Sequence, residues 1–268
     1  MRRVIIAIAI GLYMLGARDV KGEVISVAPR DSAGLVAALE YAERTPGADM
    51  IELAPRSLYA LTAPGREGES QGLPTVRSEI RILGNGSEIR RYSNTSMLLV
   101  AVDESGALRL EHLTLAEGDR GAIVNRGRLS LFHVSIVDNT AHGADAIVRN
   151  YGELEAADCV IGWNEIAGAQ RDAGTLLNYG RAELVRTRIE ANAVSRRYGS
   201  LVEASAILNF GQVRLDEVVL RGNDARDDHD GDDALGTVLN LGNGRLNAVR
   251  VESRDNLPAM ANVLPTAR

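Results

Sequence analysis

Five times in the second half of the chain a short apolar run ends in Asn-x-Gly, and the same order of residues trails each copy. The copies are Asn125-Arg126-Gly127, Asn150-Tyr151-Gly152, Asn178-Tyr179-Gly180, Asn209-Phe210-Gly211 and Asn240-Leu241-Gly242. Fourteen residues after the first Asn, four copies carry a second one: Asn139, Asn164, Asn192 and Asn223. In the last copy that place holds Arg254, and Asn256 follows two residues late. Self-similarity at this period marks stacked repeats and constrains the fold before any local propensity does.

Aligned on the first Asn, each copy has apolar residues at fixed offsets. Two residues before it stand Ile123, Val148, Leu176, Ile207 and Val238. Four and six after it come Leu129 and Leu131, Leu154 and Ala156, Ala182 and Leu184, Val213 and Leu215, then Gly244 and Leu246. Nine and eleven after come Val134 and Ile136, Cys159 and Ile161, Thr187 and Ile189, Val218 and Leu220, Val249 and Val251. Polar residues fill the places between, an alternation that marks short strands with one buried face. Upstream, Gly106 matches the turn glycine, Leu108, Leu110, Leu113 and Leu115 take the core offsets, and Gly118 stands where the second Asn belongs.

One such repeat cannot bury its apolar face, whereas stacked repeats share a continuous core. The expected fold is all-β: a single parallel β-helix of about eight coils spaced by ~4.8 Å. The corner Asn residues are expected to face inward and bond their counterparts above and below, and each following Gly to supply a left-handed bend. Gly34 to Ala42, with Leu35, Val36, Leu39 and Tyr41, reads as an amphipathic helix that caps the first coil. The expected organisation is a signal peptide over 1–17, a cap over 18–49, the β-helix over 50–256 and a tail over 257–268.

Arg2 and Arg3 followed by the uncharged stretch Val4 to Ala17 read as an export signal, too short to span a bilayer. Retention as an uncleaved anchor is the alternative; either way the domain is expected to be secreted, periplasmic or at the surface of a bacterium, with no membrane span in the mature chain. The net charge of −6 gives a nucleic-acid partner no electrostatic support. A single cysteine, Cys159, excludes an intrachain disulfide and paired-cysteine metal sites. Its core offset makes it a small buried hydrophobe.

The arrangement resembles the right-handed parallel β-helix proteins of the pectin-lyase-like superfamily, and within it secreted bacterial proteins with polymorphic-outer-membrane-protein-like repeats. Ile51-Glu52-Leu53-Ala54-Pro55, Gly72-Leu73-Pro74, Ile82-Leu83-Gly84-Asn85-Gly86, Leu113-Thr114-Leu115 and the five Asn-x-Gly coils carry the likeness. It covers roughly Val24 to Asn256. The resemblance implies a fold and not one activity, since lyases, hydrolases and non-catalytic proteins share the superfamily.

Successive first Asn residues lie 25, 28, 31 and 31 apart (150−125, 178−150, 209−178, 240−209) while the interval to the second Asn stays at 14 in four copies. The growth is therefore expected in one loop per coil, along one edge of the rod. The fourth such loop holds Asp227-Asp228-His229-Asp230-Gly231-Asp232-Asp233. It is either a solvated acidic loop or a Ca2+ site with Asp228, Asp230 and Asp232 as ligands. Arg126, Tyr151, Tyr179, Phe210 and Leu241 are expected to point outward and stack, and Tyr151, Tyr179 and Phe210 are the candidates for glycan contact. His133, Asp158, Arg186 and Glu217, with His112 one coil earlier, are expected to form an outward column. It carries either ion pairs between coils or, in an enzyme, the base and cation of a polysaccharide lyase or glycoside hydrolase. The reading favoured is an exported, non-catalytic binding or structural module whose partner is a polysaccharide or cell-surface glycan.

Overall fold

The computed structural model describes residues 22–66, 70–143, 146–169, 173–196, 202–226 and 234–257. They form a parallel β-solenoid of about seven turns, close to the eight expected. The largest sheet runs from Val24–Val27 through Ala48–Leu53, Glu79–Arg91, Ala107–Ala116, Arg128–Val137, Glu153–Ala157, Arg181–Val185 and Gln212–Asp216 to Arg245–Val249. Beyond a bend the same sheet continues through Val160–Gly162, Arg188–Glu190, Val219–Arg221 and Glu252–Arg254. A second sheet stacks six strands from Val100–Val102 to Ala234–Asn240, and a third stacks four from Thr140–His142 to Asp224–Arg226.

Register carries the repeat into space. Leu108, Leu129, Leu154, Ala182 and Val213 are successive partners across neighbouring strands, and all are buried. So are Leu113, Leu115, Val134, Ile136, Cys159, Ile161, Ile189, Val218 and Leu220. Each buried Leu, Ile or Val contributes about 1.5–3 kcal/mol, and the core is continuous as far as the coil of Val213 and Leu220, while the last main-sheet strand, Arg245–Val249, buries no residue fully.

Two files of asparagine close the corners. In the first, Asn125, Asn150, Asn178, Asn209 and Asn240 pair in register. Each Nδ2 donates to the next Oδ1 at 2.7, 2.7, 2.7 and 2.6 Å. The same groups reach the carbonyls of Glu153, Arg181, Gln212 and Arg245, so turn backbone that would be buried unpaired is satisfied. Val102 holds the place before Asn125 and has no donor, which leaves Asn125 Oδ1 buried and unpaired among the described residues. In the second file Asn139, Asn164, Asn192, Asn223 and Asn256 bond at 3.0, 2.9, 2.8 and 3.0 Å. Gly118 begins it by donating its N–H to Asn139 Oδ1 at 2.9 Å.

The corner glycines differ from expectation. Gly127, Gly152, Gly180 and Gly211 are not left-handed. A Cβ built on Gly152, Gly180 or Gly211 would lie 2.0–2.1 Å from the carbonyl oxygen of the glycine one coil earlier, and one on Gly127 would lie 2.3 Å from Gly106 O. The requirement is close approach of backbones and not positive φ.

The last coil is also shifted. Arg245 pairs with Gln212 and Arg254 with Arg221, which puts Leu246 beside Val213 and not at the place of Leu215. The two extra residues form the turn Leu241 to Gly244, closed by Gly244 N–H donating to Leu241 O and containing left-handed Gly242. That insertion is why Asn256 arrives two residues late and still completes its file. It also puts Val249 on the outside, 42% exposed.

The spacing growth is not confined to loops. Second-sheet strands lengthen from Val148–Asn150 to Ala173–Asn178 and Val202–Asn209, and third-sheet strands from Thr140–His142 to Glu165–Ala169. Leu177, Leu208 and Leu239, in register with Arg149 of the shorter strand, form a small second core with Ala146 and Ala204, against which Phe210 and Leu241 pack.

The helix spans Ser32–Ala42, with Asp31 as its N-cap accepting from Gly34 N–H at 2.7 Å. Its buried stripe is Leu35, Ala38, Leu39 and Ala42, spaced at i, i+3, i+4 and i+7. Tyr41 lies off that stripe and donates its hydroxyl to Glu23. Val24–Val27 precedes the helix and already pairs with Ala48–Leu53, so the main sheet begins within the segment assigned to the cap. Among the described residues no helix is long and apolar enough to cross a membrane.

Candidate functional site

The outward column exists, at the bend that divides the large sheet. His112, His133, Asp158, Arg186, Glu217 and Arg250 occupy equivalent places in successive coils, each left-handed with φ between 46° and 56°. Such residues cost about 1–2 kcal/mol each relative to ordinary backbone. Neighbouring coils hold them there: the N–H groups of Asp158, Arg186 and Glu217 donate to Val185, Asp216 and Val249 carbonyls at 2.9–3.1 Å. His and Asp tolerate a left-handed backbone better than Arg or Glu, but no glycine marks the bend in these coils; Asn85-Gly86, left-handed at the start of the same bend, is the conventional signal.

The column is paired within itself. His112 and His133 stack with ring centroids 4.8 Å apart, and Phe132 meets both edge-on. Arg186 grips Asp158 through two nitrogens at 2.7 and 2.8 Å. Those hydrogen bonds, with the charges of Arg186 and His133, hold the Asp158 carboxyl below the usual range despite partial burial. Further along, Arg250 bonds Asp216 at 2.6 Å and Glu217 at 3.1 Å. On the same outer face Glu111 is pushed up by burial, but Arg81 and Arg109 outweigh that and leave it below the usual range. A carboxylate with both oxygens bound to a guanidinium is a poor proton acceptor, and its Arg is no longer an unspent cation.

The sign of the pH dependence follows. Asp158 has a depressed folded pKa, so its contribution to stability is present above the unfolded value and lost as pH falls through the folded one. Arg186→Ala is expected to return Asp158 toward the ordinary carboxylate range and to remove that acid-side dependence. An NMR titration of the Asp158 carboxyl carbon reads it; an unmoved midpoint contradicts the fork. Because Arg186 is about half exposed, the change in neutral-pH stability is expected to be below ~1 kcal/mol.

A shallow groove of about 380 Å³ lies over the head of the column, lined by Asn85, Gly86, His112, Leu113, Thr114, His133 and Ser135. Thr114 and Ser135 are partners on adjacent strands. Their outward hydroxyls beside two imidazoles are the part of the lining that the repeat pattern alone did not single out.

The aromatic rib is also formed. Tyr151 and Tyr179 stack at 5.2 Å and 4°, Tyr179 and Phe210 at 5.1 Å and 8°, and Arg126 lies 5.5 Å from the Tyr151 centroid. Ring faces therefore cover one another, and what Tyr151 and Tyr179 present to solvent, 44% and 41% of their surface, is edge and hydroxyl. The rib and the His–Asp–Arg column stand on separate parts of the coil, on either side of the strands that follow the Asn-x-Gly corner.

Asp228, Asp230 and Asp232 lie outside the described residues. Among the described residues no group of three or more His, Cys, Asp or Glu side chains is placed to hold a metal ion. Cys159 is buried, and burial raises its thiol to about 11, which suits packing and not nucleophilic attack.

Comparison with known protein families finds no matching family model, and comparison with curated proteins finds no match.

Proposed function

We propose that this chain is an exported, non-catalytic β-helix module that holds a polysaccharide or cell-surface glycan along its outer face, at the cell surface or in the periplasm. The observation that carries the reading is the self-pairing of the outer column. With Asp158 forked by Arg186, the carboxylate and the cation that an enzyme would use as base and charge stabiliser are committed to each other, while His112 and His133 lie ring on ring beside them. A binding surface needs only a rigid face with hydrogen-bonding groups and aromatic edges, and the stacked coils supply both. The Asn-x-Gly coils and the Ile82-Leu83-Gly84-Asn85-Gly86 run support placing the solenoid with the pectin-lyase-like β-helices. Arg2, Arg3 and the apolar stretch to Ala17 support export.

One observation favours a second reading, a polysaccharide lyase or glycoside hydrolase: the groove sits directly beside His112 and His133. Affinity electrophoresis through gels containing neutral or acidic polysaccharides, with Ca2+ or with a chelator, separates the two. Retardation without new reducing ends or unsaturated sugars is expected. Product formation abolished by His133→Ala or Arg186→Ala contradicts the non-catalytic reading and assigns those residues a role in turnover. Retardation that disappears with the chelator points to Asp228, Asp230 and Asp232.

A further inference from the structure

We infer that Trp163 is the stacking platform of a carbohydrate subsite for a neutral hexopyranose unit; this rests on the binding-module reading above and narrows it. The residue before each member of the second asparagine file is left-handed: Asp138 at φ 54°, Trp163 at 55°, Ala191 at 55°, Gly222 at 62° and Asp255 at 56°. Asp and Gly suit that backbone, whereas a bulky side chain there is an outlier. Folding asks for nothing large at this place, as Ala191 and Gly222 show in the next two coils. Trp163 nonetheless leaves 55% of its surface in solvent, and it is the only tryptophan of the chain. A strained, exposed indole that adds little to the core is a feature whose use lies outside folding.

Its surroundings differ from those of the aromatic rib. There Tyr151 and Tyr179 have both faces covered by a ring or a guanidinium, and Phe210 lies on Tyr179 and packs against the small second core. No ring contact involves Trp163 among the described residues. Its neighbours along the file are Asp138 one coil before and Ala191 one coil after, then Gly222, where an added Cβ would meet nothing within 4 Å. Two coils of small residues give a shelf ~10 Å long, room for a pyranose ring laid against the indole. The base of the platform is fixed: Trp163 N–H donates to Glu190 O at 3.1 Å, and Asn164 is locked in its file. A rigid aromatic on a fixed backbone loses little entropy when a ligand stacks on it.

The rim selects the sugar. The charged places in line with Trp163 along the file are Asp138 and Asp255, both carboxylates, and Arg188 is already paired with Glu190 at 3.4 Å. Carboxylates accept from sugar hydroxyls, and with both in-line charges negative a polyanionic chain is disfavoured, which leaves neutral hexoses as the class that fits.

Because Trp163 is unique, its emission reports the site directly. The full chain is titrated with cellohexaose, laminarihexaose and mannohexaose, with an oligogalacturonate as charged probe, and affinities are taken by calorimetry for the parent and for Trp163→Asp. Asp138 holds the equivalent place one coil earlier, so this variant is expected to fold and to melt no lower than the parent. The expected result is a shift of Trp emission by at least one neutral hexamer and a loss of affinity of about tenfold or more in Trp163→Asp. A neutral hexamer that binds Trp163→Asp as it binds the parent overturns the platform and leaves the binding module standing, as does binding of the oligogalacturonate alone. If no probe binds, both readings fall. Self-association lost in Trp163→Asp, with no sugar effect, overturns the subsite in favour of a protein contact.

Discussion

Gly180→Ala is expected to lower the stability of the central coils by about 3–5 kcal/mol, or to prevent their stacking altogether. The new methyl would lie 2.1 Å from Gly152 O and 2.7 Å from the Tyr151 carbonyl carbon, both backbone atoms of the preceding coil. Those atoms cannot step aside, because the Tyr179, Gly180 and Arg181 N–H groups are bonded to Asn150 and Gly152 carbonyls at 2.8–3.2 Å. Gly168→Ala is the control. Gly168 is left-handed at φ 61° with open space around it, so its substitution is expected to cost only about 1–2 kcal/mol, the ordinary penalty of its backbone. Urea unfolding of both variants, followed by amide exchange to localise the effect, reads the difference. Equal losses would mean that close approach between coils is not what the corner glycine provides.

Asn178→Ala is expected to cost a similar ~3–5 kcal/mol through a different route. Asn178 is fully buried, accepts from Asn150 Nδ2 at 2.7 Å, and donates to Asn209 Oδ1, Gly180 O and Gln212 O at 2.7, 3.1 and 3.2 Å. Its removal takes those four hydrogen bonds out of the buried file, leaves Asn209 Oδ1 only the Gly211 N–H at 3.1 Å and thins the bonding of two turn carbonyls, at about 0.5–1.5 kcal/mol for each bond lost. The start of the file behaves differently. Asn125 Oδ1 is already unpaired, so Asn125→Val moves the orphan to Asn150 Oδ1 and does not add a second one. Its cost is expected to be about 1–2 kcal/mol, the loss of the remaining bonds. A cost at Asn125 equal to that at Asn178 would show that the files do not act as directional chains of hydrogen bonds.

Much of this architecture is legible in the residues because a stacked fold turns sequence period into spatial contact. The core positions, both asparagine files, the place of Gly118, the capping helix and the stacked aromatic rib all follow from aligning one coil on the next. What was not legible depends on backbone geometry that the alignment leaves out. Asn-x-Gly looks like a left-handed turn, yet its glycine is needed for a carbonyl packed above it, a contact with residues 25–31 positions away. The left-handed places fall instead on the outward column and on the residue before the second Asn, where Arg186, Glu217 and Trp163 do not favour them and His133 and Asp158 signal them only weakly. The two-residue turn at Gly242 shifted the last coil out of the count, since an insertion at a corner is invisible until pairing shows which residue resumes the strand. At the candidate site the column was predicted, whereas its closure by the Asp158–Arg186 fork depends on rotamers. Charge types alone do not say whether opposite charges face a ligand or each other.

The most direct measurement is a set of dipolar electron-spin distances between nitroxides on the outward residues of the first corner. Pairs at 126 and 179, 126 and 210, and 126 and 241 are separated in sequence by 53, 84 and 115 residues (179−126, 210−126, 241−126). Stacked coils predict separations rising by ~4.8 Å per coil, about 10, 14 and 19 Å between the labelled backbones. Distances that follow no such single-coil increment would contradict the stacked file on which the rib, the column and the Trp163 shelf all stand.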